Sequence, residues 1–221
     1  MTDWTDEAVW IGGNNLLRTD FTLAKSAKSA TLRISGLGYF ELYVNGIKIG
    51  DQVLAPVQTD YDCRIFYLTF EVAAQLRTGV NTVGVMLGEG FFSQSVVRGR
   101  HCWAEESYGE KRLRMQLDIT CSDDTKRRIV SDGEWLAAAG PIISDNVYAG
   151  EVYDARNEIS GWAEPIGEDL TGYRRSSFGT PPTWWHVFNV VQASRLFLFF
   201  IKTQARRLYH TLLINFEIPQ R

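Results

Sequence analysis

Between residue 30 and residue 132, stretches in which apolar side chains alternate at every second position recur, and that period constrains this 221-residue chain more than any other feature. A strand turns successive side chains to opposite faces, so alternation marks a strand with one face in a core. "TLRISGL" (31–37), "YFELYVN" (39–45), "RIFYLTFEV" (64–72), "NTVGVMLG" (81–88), "RLRMQLDIT" (112–120) and "TKRRIVSD" (125–132) read as strands, and "DFTL" (20–23) adds another. Clusters of Gly, Asn and Asp separate them: "NGIKIGD", "RTGVN", "GEGFFSQ" and "CSDDTK". Such residues accept the backbone angles of tight turns. Only "AAQLR" (73–77) reads as helical. The pattern predicts an all-β fold, an antiparallel jelly-roll-like β-sandwich.

One connection is too long for a hairpin. About twenty residues separate "YFELYVN" from "RIFYLTFEV", where a two-residue turn would join neighbouring strands. A jelly roll makes such a length natural, because the chain crosses there between sheets.

The net charge of −3 comes without a Lys/Arg-rich run. Phosphate recognition needs clustered positive charge, so nucleic acid is not an expected partner. The first residues, "MTDWTDEAVW", carry acids where a signal peptide carries basic residues, which leads to a cytoplasmic expectation. Cys63, Cys102 and Cys121 are too far apart for a zinc motif and read as free thiols.

Composition shifts near Pro165. Up to that residue the chain has 16 basic and 23 acidic residues, net −7; from Ile166 onward it has 7 and 3, net +4. The last forty or so residues show no strand alternation. They are no good membrane span either, because Gln192 and Arg195 interrupt the apolar run and a central Arg is costly in lipid. An amphipathic helix ending near Arg206–Arg207, or a segment foreign to the preceding domain, both fit.

No nucleophile elbow, P-loop, dinucleotide loop or H-E-x-x-H is present, and the carboxylates Glu89, Glu105, Glu106, Asp145, Glu151 and Asp154 show no pairing by spacing. Binding chemistry is better represented. Aromatic rings cover the apolar faces of sugars while planar polar groups reach the hydroxyls. Tyr61, Phe91, Phe92, Trp103, Tyr108, Trp135, Tyr148 and Tyr153 crowd the loops, with Asp51, Gln52, Asp60, Asp145 and Asn146 near them in sequence. Closing the ends of a sandwich core would use the same aromatics.

"ISGLGYFELYVNGIKIGDQVLAPVQTDYDCRIFYLTFEV" followed by "GVNTVGVMLGEGFF" resembles the N-terminal β-sandwich of bacterial-type α-L-rhamnosidases, glycoside hydrolase family 78. "PIISDNVYAGEVYDAR" (141–156) resembles the closing stretch of the same module. The resemblance implies a lead at 1–9, a sandwich at 10–165 and an atypical tail at 166–221. It implies an inter-sheet loop with Asn45-Gly46 at a tight turn and Asp51, Pro56 and Tyr61 along its path. It further implies a non-catalytic module whose hydrolytic barrel lies elsewhere in the full enzyme: either a sugar-binding one, with L-rhamnose or rhamnosyl glycans as partners, or a purely structural domain that packs against that barrel. A free-standing lectin-like sugar-binding protein is a third reading. In some relatives this sandwich binds rhamnose through calcium. By that resemblance Asp51, Tyr61, Phe91 and Phe92 are the candidate sugar contacts, and Asp51 is the candidate calcium ligand. The Asn and Pro that the family often places after G-x-G are absent from "GEGFFSQSVVRGRHCW".

Overall fold

Alternation in the sequence becomes alternation in burial. In Arg112–Cys121 the odd-numbered side chains from Leu113 to Cys121 all point into the core. The computed structural model describes residues 4–94, 108–165, 173–175, 177–178 and 186–189. Its first strands are β1 (Ile11–Gly12), β2 (Leu16–Leu23), β3 (Ala27–Leu37), β4 (Tyr39–Val44) and β5 (Ile47–Ile49). β6 (Arg64–Glu71), β7 (Gly79–Gly88), β8 (Arg112–Cys121) and β9 (Lys126–Val130) follow. Then come β10 (Leu136–Ala138), β11 (Ile142–Asn146), β12 (Gly150–Tyr153), β13 (Arg174–Arg175), β14 (Ser177–Phe178) and β15 (His186–Asn189). One short helix, α1 (Gly90–Ser93), interrupts them, and "AAQLR" supplies a single 3-10 turn at Ala73–Gln75.

Two sheets face each other. Sheet A runs β14-β1-β8-β3-β6-β15, with β9 also paired to β8; sheet B runs β13-β10-β2-β7-β4-β5. β11 and β12 form a separate hairpin. Pairing is antiparallel except for β15, which lies parallel to β6. Leu32, Ile34, Leu113, Met115 and Leu117 of sheet A meet Leu17, Leu42, Val83, Val85 and Leu87 of sheet B in one buried cluster. Trp135 closes it, wholly buried, with its indole N–H donating to the Val130 carbonyl at 2.8 Å. That bond meets the requirement that a buried Trp satisfy its one donor.

The long connection behaves as an inter-sheet crossing. Asn45-Gly46 joins β4 to β5 as a two-residue turn, with φ of 50° and 80°. The chain then leaves sheet B at Gly50 and enters sheet A at Arg64. Along the way Ala55, Pro56 and Tyr61 are buried, and the Ala55 carbonyl accepts from the Phe40 N–H at 2.7 Å. The loop is pinned to the sandwich end rather than hanging free.

Beyond residue 165 the described residues are extended rather than helical. Arg174–Arg175 extends sheet B at β10, while Ser177–Phe178 and His186–Asn189 extend sheet A at β1 and β6. Pairing therefore continues past the composition shift. Arg195 and Arg206–Arg207, and with them the expected amphipathic helix, lie outside the described residues. Cys63 and Cys121 are free thiols; Cys102 lies outside the described residues. Among the described residues, no helix is long and apolar enough to cross a membrane.

The Asn45 side chain is the buckle of this end of sheet B. Its amide donates to the Gln75 carbonyl at 2.8 Å and to Asn81 Oδ1 at 2.9 Å, and its oxygen accepts from the Thr82 N–H at 2.8 Å. Replacing Asn45 by Ala removes all three bonds and leaves a residue with a Cβ but no side-chain polar group in the left-handed region. At roughly 1 kcal/mol per bond, with a backbone cost of about 1 kcal/mol more, the variant loses about 4 kcal/mol of unfolding free energy. Denaturant titration measures this, and a loss below about 1 kcal/mol would contradict the assignment.

Candidate functional site

A groove of about 560 Å³ lies on the outer face of sheet B. Tyr39 and Glu41 of β4 and Met86 and Gly88 of β7 line it from the sheet. Gln52, Val53 and Leu54 of the inter-sheet loop form one wall; Ile142, Asp145, Asn146, Glu151 and Tyr153 of the β11–β12 hairpin form the other. The volume suits a sugar-sized ligand, and the lining mixes apolar surface with a few convergent polar groups.

Local chemistry holds the hairpin in place. Asp145 Oδ1 accepts the Glu89 N–H at 2.7 Å, and Lys111 Nζ stands 4.0 Å from its other oxygen. Gly88 leaves room for that carboxylate, since a Cβ there would come within 3.2 Å of it. At the base, Asn15 donates to the Ile142 carbonyl at 2.5 Å and the Asp154 N–H to Pro141 at 2.8 Å. At the tip, Asn146 Oδ1 accepts from the N–H groups of Tyr148 and Ala149, the self-bonded turn that Asn favours. Tyr148 then meets Phe91 edge to face, with centroids 6.0 Å apart.

On the sheet side, Glu41 is bound by Lys48 and accepts from the Tyr43 hydroxyl at 2.8 Å. Partial burial pushes the Glu41 carboxyl up, but the bonds from Lys48 and Tyr43 and the Lys48 charge outweigh it, so the group titrates below its ordinary range. The Tyr43 hydroxyl is pushed up to about 12 by burial and then by Glu41. It stays a donor throughout the neutral range.

The four sequence-predicted contacts fall in different places. Asp51 is exposed, next in sequence to Gln52 on the groove wall. Phe91 is half-buried and braces the hairpin tip through Tyr148. Tyr61 and Phe92 are 3% and 2% exposed and pack edge to face at 5.2 Å in the cluster that closes the sandwich end. Their faces are occupied by protein. Trp103 lies outside the described residues. Tyr39, Glu41, Met86 and the Val53–Leu54 pair were not singled out in the sequence, because their outward positions in strands β4 and β7 and in an apolar stretch of loop read as ordinary solvent-side and turn residues.

Calcium collects six to eight oxygen ligands. Among the described residues, no three His, Cys, Asp or Glu side chains come together to hold a metal ion.

The alpha-L-rhamnosidase N-terminal domain family matches residues 25–182. An alpha-L-rhamnosidase of Formosa agariphila is 34% identical over 169 residues, covering 73% of this chain and 17% of that protein. The solved alpha-L-rhamnosidase from Dictyoglumus thermophilum matches with a TM-score of 0.73 at 32% identity, over 83% of this chain and 22% of that one. The Streptomyces avermitilis alpha-L-rhamnosidase, solved in complex with L-rhamnose, matches with a TM-score of 0.65 at 33% identity, over 78% and 16%. The chain thus spans less than a quarter of the length of each of these relatives.

Acid titration checks the Glu41 pairing. A carboxyl depressed on folding contributes stability that is present above its unfolded value of 4.5 and is lost as pH falls through the lower folded value. The wild type therefore loses its advantage over Glu41→Gln as pH drops below the ordinary glutamate range. Parallel stability curves from pH 7 down to about pH 3 would contradict the pairing.

Proposed function

Because the chain belongs to the alpha-L-rhamnosidase N-terminal domain family, we propose that it is a non-catalytic accessory module that holds an L-rhamnose-bearing glycan in the groove of sheet B. The observation that carries this reading is the groove's lining. Tyr39 and Tyr153 offer rings, Met86, Val53 and Leu54 offer apolar surface, and Gln52 and Asn146 offer planar polar groups. A 6-deoxy sugar presents a methyl group and a ring face to the first two and hydroxyls to the third. Asp51 belongs to the same reading as a rim residue, and Phe91 as the brace of the hairpin. Tyr61 and Phe92 take no part in the groove and pack in the cluster that closes the sandwich end.

The non-catalytic part rests on the carboxylates. Glycoside hydrolysis needs one carboxyl held protonated to act as acid and a second acting as base or nucleophile. Glu41 is shifted the wrong way for an acid, Asp145 accepts the Glu89 N–H through one oxygen and faces Lys111 at 4.0 Å with the other, and Glu151 is solvent-exposed. Hydrolysis belongs, on this reading, to a catalytic barrel in the full-length enzyme.

A second reading has its own observation. Of the eleven exposed large hydrophobics among the described residues, eight lie at Val53, Leu54, Val57, Ile143, Val147, Tyr148, Val152 and Tyr153, on the two segments that flank the groove. Clustered apolar exposure marks interaction surfaces, and the rest of a longer rhamnosidase would cover it.

Titration with L-rhamnose, followed by amide NMR, decides between them. The first reading gives saturable shifts at Tyr39, Gln52, Asn146 and Tyr153 with an affinity of about micromolar to millimolar. The shifts are unchanged by chelator and weakened in Tyr153→Ala. No shift at about 50 mM sugar, far above that range, leaves the packing role. The same protein releases nothing from aryl rhamnosides; turnover abolished by mutating one carboxylate would overturn the non-catalytic assignment.

A further inference from the structure

The other half of sheet B's outer face is covered by residues 159–165, and the cover is organised by one side chain. Arg18 points outward from β2 yet is fully buried. Its Nη1 donates to the Trp162 carbonyl at 3.1 Å and its Nη2 to the Glu164 carbonyl at 3.1 Å. Nη2 also donates to both Asp20 oxygens at 2.6 and 2.7 Å. The Thr82 hydroxyl donates to the same carboxylate and holds it in place. The Tyr173 ring lies over the guanidinium, 5.6 Å from its centroid, within cation–π range.

The segment that Arg18 grips is a small unit with its own turns. The Trp162 N–H donates to Ile159 at 3.2 Å and the Glu164 N–H to Gly161 at 2.8 Å. Trp162 packs edge to face on Tyr43, with centroids 5.2 Å apart. The Ala163 carbonyl accepts from the Gly46 N–H at 2.8 Å. Gly84 makes the seat: a Cβ there would stand 2.8 Å from both Trp162 and Ala163.

We infer that residues 159–165 are a strap, latched shut by the Arg18 guanidinium, that opens as a unit separate from the sandwich and sets the path by which the chain leaves it. Three features carry this. Arg18 binds the strap mainly through backbone carbonyls, so the grip is on the path of the chain rather than on particular side chains. The strap lies outside the two-sheet core, so its opening leaves the inter-sheet packing intact. The same guanidinium holds Tyr173, the next described residue, so strap and onward chain share one anchor. A buried arginine needs its donors filled by charged or carbonyl partners; here the charged partner is Asp20 of β2 and the carbonyl partners come from the strap.

Hydrogen exchange on the full 221-residue chain tests the latch, with two variants that attack it differently. Arg18→Gln removes the charge and most of the donors; Gly84→Ala leaves Arg18 untouched and pushes the strap off its seat. The expected result is that exchange at the amides of 162 and 164, and at Gly46, quickens roughly tenfold or more. Amides of β3 and β8 keep their protection. That pattern in either variant supports the latch. Unchanged strap protection in both, or core amides loosening equally in both, would overturn it, the first because Arg18 and Gly84 would not hold the strap and the second because the strap would not be a separate unit.

Discussion

The outer face of sheet B cannot be left to water, and much of the molecule's arrangement follows from that. An antiparallel sheet in a sandwich commonly has one face on the core and one solvated. Here Leu16, Arg18 and Thr82 point away from the core and are nonetheless completely buried. An arginine in that position has to find carbonyl and carboxylate partners. Residues 159–165 and Asp20 provide them, and Gly84 gives the covering segment space to lie flat. The chain from Pro141 to Pro165 therefore runs over the sheet rather than away from it. Where it stands off from the sheet, at the β11–β12 hairpin, the gap is the groove.

How much of this was legible in the sequence depended on which face a residue serves. Inward-facing positions announced themselves: Leu113, Met115, Leu117 and Ile119 alternate with polar residues, and the sheet-forming strands β3, β4, β6, β7 and β8 follow from such runs. "LLRTDFTL" was only half legible, because Leu16 and Arg18 are buried by the later segment and break the expected alternation. The hairpin "IISDNVYAGEVY" has no core face at all, and Ile143 and Val152 are exposed. No period of two could have marked it. Asn45 and Gly46 were legible as a turn, but the bonds from Asn45 to Gln75, Asn81 and Thr82 join residues about thirty or more positions apart, which no local pattern reports.

The candidate site was legible in composition and scattered in position. Aromatic and amide residues in loops pointed to sugar-type recognition, and Gln52, Asn146 and Tyr153 do converge on one groove. Tyr61 and Phe92 were placed in the same group by residue type alone. Their burial shows the competing demand on aromatics in a small sandwich, which is to close its ends. Outward-facing Tyr39 and Met86 become groove surface only because a hairpin much later in the sequence arches above them; Asp145 lies 106 positions after Tyr39 and 59 after Met86.

The central claim is that the sheet B groove receives the sugar, with the apolar lining taking the 6-deoxy methyl group. Intermolecular nuclear Overhauser effects test this most directly, using L-rhamnose and protein carrying labelled Met, Leu and Val methyls. The account predicts cross-peaks from the rhamnose methyl to Met86 and to Leu54 or Val53. Cross-peaks confined to methyls outside the groove, such as Val80 at the far end of β7, would contradict it.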